Sequence, residues 1–243
     1  MATYPELGGK VIIVTGASGN LGNAVAARLS SEGAKLALVD RDMKRLQDQA
    51  AGYNRAAGDI HLATADITKK AEVEAFVAEV VGKFGAVDGL INVAGGFKMG
   101  EPVYNLDEAT YDFMMNLNAK SVFLMSGAVV KAMLDAGRPG RVVTVASRSA
   151  LKGDPNTAAY NASKAVALRL TESLAAEVLD KHITVNAILP SVIDTPQNRQ
   201  GGATDAEIAK WVTPDSLADV IAFLLSDAAR DITGASIPVY GRA

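Results

Sequence analysis

The chain has no cysteine. Disulfides, thiolate nucleophiles and zinc–thiolate sites are therefore excluded. Its 243 residues include only two histidines, His61 and His182. That is too few for a histidine metal cage and a poor basis for a Ser–His–Asp triad, so no metal is expected. Both histidines are expected at a strand or helix end. No basic block stands out and the formal net charge is −3, which argues against nucleic acid as a partner. Met1 to Lys10 carry no apolar targeting core, and no run approaches membrane-spanning length. A cytoplasmic protein with no membrane partner is expected.

What is present is a globular composition, 49% hydrophobic and 21% charged, which sets disorder aside. The length suits one large α/β domain. Val11-Ile12-Ile13-Val14 is a continuous β-branched run, the mark of a strand buried on both faces of a parallel sheet. Further strands are expected at Lys35–Val39, Ile60–Thr64, Val87–Ile91, Val142–Ala146, Ile183–Leu189 and Ser236–Tyr240. The last belongs on the sheet edge, because Pro238 has no N–H to donate. Helical patterns fall between them, at Asn23–Ser31, from Met43 to about Ala57, at Lys69–Phe84, Asp107–Ala136, from Tyr160 to about Leu179, and at Asp215–Leu225. This alternation predicts a doubly wound parallel sheet of the Rossmann kind, with ligands at the carboxyl ends of the strands. There is no internal repeat or linker, so residues 1–243 are expected to form a single domain, with a short polar lid near 191–209.

The first strand feeds Thr15-Gly16-Ala17-Ser18-Gly19-Asn20-Leu21-Gly22. Glycines between a strand and a helix let the backbone approach a pyrophosphate, which then sits on the helix N-terminus. The second strand ends on Asp40, roughly 20 residues further on, where a carboxylate would accept hydrogen bonds from an adenosine ribose. Its charge would repel a 2′-phosphate and favours NAD over NADP. Arg41 argues the other way, and a helix N-cap is the structural alternative for Asp40.

Tyr160-Asn161-Ala162-Ser163-Lys164 places a phenol and an ammonium one helical turn apart on the same face. A lysine beside a tyrosine favours the phenolate and is expected to pull the phenol below its usual ~10. Ser147 follows the fifth strand, where its hydroxyl could hold a substrate oxygen, with Ser149 as a weaker substitute. Asn118 lies inside a methionine-rich helical segment, either solvated or facing a site.

Together Thr15-Gly16 with Gly19 and Gly22, Asp66, Asn92-x-Ala94-Gly95, Asn118, Ser147, Tyr160-x-x-x-Lys164, and Pro190 with Thr195 resemble the classical short-chain dehydrogenase/reductase family over essentially the whole chain. The resemblance implies hydride transfer between a nicotinamide and a carbonyl or alcohol carbon. Tyr160 would be the acid/base, Ser147 would polarise the substrate oxygen, and Lys164 would tune the tyrosine and grip the nicotinamide ribose. Asn118 would hold a water for proton relay. The cofactor set it implies is Gly16, Ser18, Asn20, Leu21, Asp40, Arg41, Asp66, Ile67, Asn92, Ala94, Gly95, Tyr160, Lys164, Pro190, Ile193 and Thr195.

The sequence departs from the family pattern at Asn20, where a glycine is usual, and at Ser191, where a glycine usually follows the proline. A third departure is the short lid. Ile193 to Arg199 and Val93 to Phe97 are similar to the dihydropteridine reductase branch, which works without the serine that this chain keeps. Phe97, Lys98, Arg148, Ser149, Lys152 and Arg199 fall in segments expected to border the substrate. Arginine suits carboxylate, sulfonate or phosphate, so the expected substrate is a small polar secondary alcohol or ketone, with anionic ones slightly favoured. A 3-oxoacyl thioester or a dihydropteridine is the alternative, and a catalytically silent nicotinamide-sensing module is the reading from a different class. The apolar long helices predict a homotetramer.

Overall fold

The computed structural model describes residues 2–53 and 55–242. Seven strands form one sheet in the order β3-β2-β1-β4-β5-β6-β7, every pairing parallel. They are β1 Val11–Thr15, β2 Lys35–Asp40, β3 Ile60–Thr64, β4 Gly89–Asn92, β5 Gly140–Val145, β6 Ile183–Pro190 and β7 Ser236–Val239. Strand β7, which carries Pro238, lies on the edge as its missing N–H requires. The order reverses between β1 and β4, which opens a crevice at their carboxyl ends.

The helices are α1 Asn20–Ser31, α2 Met43–Ala50, α3 Lys70–Phe84, α4 Glu108–Met115, α5 Ser121–Asp135, α6 Ala158–Glu177, α7 Pro196–Arg199, α8 Asp205–Ile208 and α9 Pro214–Leu225. Alternate strand residues face opposite layers. Ile12 and Val14 pack with Leu29 of α1 and Ile221 of α9, whereas Val11 and Ile13 pack with Phe76 of α3 and Met125, Val129 and Met133 of α5. Burying each such side chain contributes roughly 1.5–3 kcal/mol. With both faces covered, these strands need the unbroken apolar runs they have.

Four elements differ from their sequence reading. Helix α1 begins at Asn20, because Gly19 is the extended residue before it and the glycine loop itself forms the first turn. Helix α2 stops at Ala50, where the chain turns through a Gly52 N–H to Gln49 carbonyl hydrogen bond. The polar stretch after β6 carries two short helices, α7 and α8. Residues 107–136 form two helices joined by a π turn at Asn116–Lys120. Glu108–Asp135 is also long and apolar enough to cross a membrane by length and composition, contrary to expectation. Half of its apolar window is buried, with Met125, Val129 and Met133 on the sheet.

One side chain joins the two central strands. The fully buried Thr15 hydroxyl donates to the Ile91 carbonyl (3.4 Å) and accepts from the Val93 and Ala94 N–H groups (3.1 Å each). It thereby sets the path of the chain leaving β4. Thr15→Val keeps the shape but strands the Ala94 N–H and leaves the Val93 N–H only the Ile91 carbonyl (3.2 Å). It should lower the unfolding free energy by about 1–3 kcal/mol in urea denaturation, while Thr15→Ser stays within about 1 kcal/mol of wild type.

Candidate active site

A cleft of about 830 Å³ runs along the carboxyl ends of the strands, from the glycine loop to Tyr160. Its near end begins at Gly16, Ser18, Asn20 and Leu21, where α1 points its N-terminus at the cleft. A Cβ at Gly22 would lie 2.1 Å from the Gly16 carbonyl oxygen, so the loop can close this tightly only with glycine there. Asp40 accepts from both the Ser18 N–H (2.9 Å) and the Ser18 hydroxyl (2.7 Å), and its other oxygen accepts from the Arg41 N–H (2.7 Å). Helix α2 is capped by Asp42 instead. Asp40 is therefore committed to the glycine loop and still lines the cleft, as do Arg41, Asp66 and Ile67. The Thr68 hydroxyl and N–H hold the Asp66 carboxyl below its usual range. Loop, helix N-terminus and acidic residue form a cradle whose donor set fits the phosphates and ribose of a dinucleotide.

At the far end Tyr160, Ser147 and Lys164 converge. Ser147 accepts from the Ser149 N–H (3.1 Å) as the N-cap of a short 3₁₀ turn, Arg148–Leu151. This fixes its oxygen, and the Ser147 hydroxyl favours the Tyr160 phenolate. The Tyr160 ring meets the edge of Phe97 with centroids 5.0 Å apart. Burial nevertheless dominates and pushes the phenol above its ordinary value. The expected lowering by Lys164 does not appear here. Its ammonium donates to the Val145 carbonyl (3.0 Å) and is itself fully enclosed, which brings it down to about 8. The groups acting on the phenol are its own burial and the Ser147 hydroxyl, and the burial outweighs the hydroxyl.

Room for that ammonium comes from Gly95. A Cβ there would sit 2.9 Å from Asn118 Oδ1 and 3.2 Å from Lys164 Nζ. Asn118 is fully buried in the π turn, neither solvated nor lining the cleft. Its amide accepts from the Gly96 N–H (2.9 Å) and donates to the Gly96 carbonyl (3.0 Å) and the Ser163 hydroxyl (3.1 Å). Both ends of the side chain are engaged, so it positions Gly95 and Gly96.

Ala94, Gly95, Phe97, Arg148, Ser149, Pro190, Ile193 and Thr195 also line the cleft. Others do not. Asn92 is buried at the end of β4, donating to the Ser126 (2.9 Å) and Thr144 (3.5 Å) hydroxyls. Arg199 forks onto Asp194 at 2.5 and 2.7 Å, away from the cleft. Lys98 donates to Thr110 (2.8 Å) and Lys152 pairs with Asp154 (3.1 Å). Asp194 and Asp154 on the same segments pair with two of these charges and Thr110 of α4 engages the third, which spacing along the chain could not show. Conversely Phe113, Asn116, Leu117, Gln197 and Asn198 line the cleft and were missed. Phe113 and Leu117 stand one helical turn apart, a signal that was there to be read.

The family model for short chain dehydrogenase matches residues 10–206. The chain belongs to that family. Over 249 residues it is 33% identical to 2-(S)-hydroxypropyl-CoM dehydrogenase 3 of Xanthobacter autotrophicus, covering 97% of each chain. It is 34% identical to levodione reductase of Leifsonia aquatica, covering 96% of this chain and 93% of that one. Among solved structures it superposes on NAD+-bound xylitol dehydrogenase with a TM-score of 0.87 at 30% identity, covering 97% and 99% of the two chains. The chain is thus an oxidoreductase with the parallel Rossmann sheet of its family.

The depressed Lys164 carries a consequence for stability. Below pH 8 the lysine is charged in both folded and unfolded protein, and the folded state bears the full desolvation penalty. Between about 8 and 10.5 the folded state sheds its proton first, so stability should rise with pH relative to a Lys164→Met protein. The full change is on the order of 3 kcal/mol. Parallel urea titrations of the two proteins from pH 7 to 10.5 check the sign.

Proposed function

We propose that this protein transfers hydride between NAD(H) and a small polar secondary alcohol or ketone. The observation that carries the reading is the convergence of Ser147, Tyr160 and Lys164 at one end of a cleft whose other end is the glycine loop and Asp40. A nicotinamide bound there would supply or accept the hydride. The chain's own residues then handle the proton. Tyr160, held as a neutral phenol by burial, is ready to donate to a carbonyl oxygen, and Ser147 polarises that oxygen. Lys164 and Gly95 fix the floor beneath the tyrosine, and Lys164 would also hold the nicotinamide ribose.

Asp40 supports a preference for NAD. A 2′-phosphate would meet a carboxylate already facing the cleft, while Arg41 is an exposed flanking residue. Phe97, Phe113 and Leu117 give the substrate end an apolar wall, and Arg148, packed 5.8 Å from the Tyr240 ring centroid, supplies its cation. Of the basic residues expected around the substrate, Arg148 alone lines the cleft, so an anionic group on the substrate would be recognised there. Residues 191–209 would act as the lid of one domain comprising the whole chain.

Tyr160→Phe should reduce turnover by about 10²–10⁴-fold and leave nicotinamide binding nearly unchanged, since the ring and glycine loop are untouched. A variant with near wild-type turnover would refute the assignment. Titration of the wild-type protein should show tighter binding of NADH than of NADPH; the reverse order would mean that Arg41 outweighs Asp40.

The reading also includes assembly. Phe123 and Leu134 on α5 and Val166 on α6 are 57%, 43% and 37% exposed, an apolar helical face that a second copy would cover. Light scattering at micromolar concentration should report a homotetramer, and a monomer would sink the idea.

A further inference from the structure

The two places where single residues replace family glycines both reach the same segment. Ser191, after β6, donates its hydroxyl to the Tyr240 carbonyl (2.7 Å), and its N–H bonds the Val239 carbonyl (3.3 Å). Asn20, the first residue of α1, donates its side-chain amide to Gln197 Oε1 in α7 (2.7 Å), across 177 positions of sequence. The segment between is held at its root by backbone. Val212 donates to the Val192 carbonyl (3.1 Å) and Asp194 to the Val212 carbonyl (2.8 Å). Thr195 caps α7 by accepting from the Asn198 N–H (3.3 Å). The root is thus clamped by several bonds, and the tip is tied to the glycine loop by one side-chain pair. Both members of that pair line the cleft.

We propose that Asn20 and Gln197 form a latch across the cleft that gates exchange of the dinucleotide. The proposal rests on the nicotinamide reading above. The Asn20–Gln197 bond spans the cleft beside the glycine loop, so a dinucleotide seated on that loop must pass it on entering and leaving. An exposed, neutral hydrogen bond of this kind shifts an open–closed equilibrium by about two- to tenfold. The observed rates fall with the fraction that is open. Because the same bond has to open in either direction, binding and release should slow together and affinity should stay almost constant. A glycine at position 20 could not form it.

The test is a double-mutant cycle of Asn20→Ala, Gln197→Ala and the pair, followed by stopped-flow fluorescence of NADH binding and release. Each single variant should raise both rate constants about two- to tenfold, and in Gln197→Ala the dissociation constant should change less than about twofold. The double variant should go no further than either single one. Additive effects, a rise in release alone, or no change would overturn the latch, since the side chains would then act separately or not at all. Hydrogen exchange of the ligand-free proteins gives a readout that needs no cofactor. The Arg199 and Gln200 amides, bonded within α7, should exchange faster in Asn20→Ala, and unchanged exchange would also overturn it. Wild-type protein that binds neither dinucleotide would instead defeat the nicotinamide reading, leaving the exchange result to decide the latch.

Discussion

Keeping an ammonium group inside the protein with a backbone carbonyl for a partner is the constraint around which the reactive end of the cleft is arranged. Lys164 is buried, reaching the cleft only at its edge, and donates to Val145. A buried cation is tolerated only where hydrogen bonding compensates its lost hydration, and here that compensation is partial. The neighbourhood answers sterically. Position 95 has no side chain, Asn118 is withdrawn into the π turn, and Gly96 is clamped by both ends of the Asn118 amide. Tyr160, one turn before the lysine, shares the same dry environment and keeps its proton more firmly than a solvated tyrosine would.

The scaffold reaches this arrangement through a few side-chain ties at strand ends. Thr15 couples β1 to the exit of β4, Asn92 couples β4 to Ser126 of α5 and Thr144 of β5, and Asp40 couples β2 to the glycine loop. None of these residues needs to move for chemistry. They bring four consecutive strand ends of the sheet into one register, so that the cradle for phosphates and the pair of hydroxyls lie along one continuous wall.

Much of this was legible in the residues. The run Val11–Val14 could only be a strand covered on both faces, and the spacing from Gly16 to Asp40 placed the acidic residue at the cleft before any coordinates did. Helical period put Tyr160 and Lys164 on one face, and the other motifs in order along the chain singled them out. What could not be read were properties set by three-dimensional neighbours. Asn92 and Asn118 look like site residues in sequence, and their amides turn inward to serve the framework. Arg199 looked available until Asp194, five residues earlier, was found to hold it. The sign of the tyrosine shift was misjudged because proximity in sequence says nothing about how much water both groups have lost. The π turn has no distinctive composition, so nothing along the chain announced it.

That turn makes chain length itself part of the design. A π turn holds one residue more than an α turn, and each helical residue advances the direction by about 100°. Before it, Phe113 faces the cleft; within it, Asn118 faces Gly96; after it, Met125, Val129 and Met133 face the sheet. The extra residue keeps all three bearings correct at once. Loss of one residue from 116–120 would turn either the asparagine from its glycine or the methionines from the core. Substitutions along this stretch change one contact apiece, whereas a deletion of a single codon would reset the aim of a whole helix.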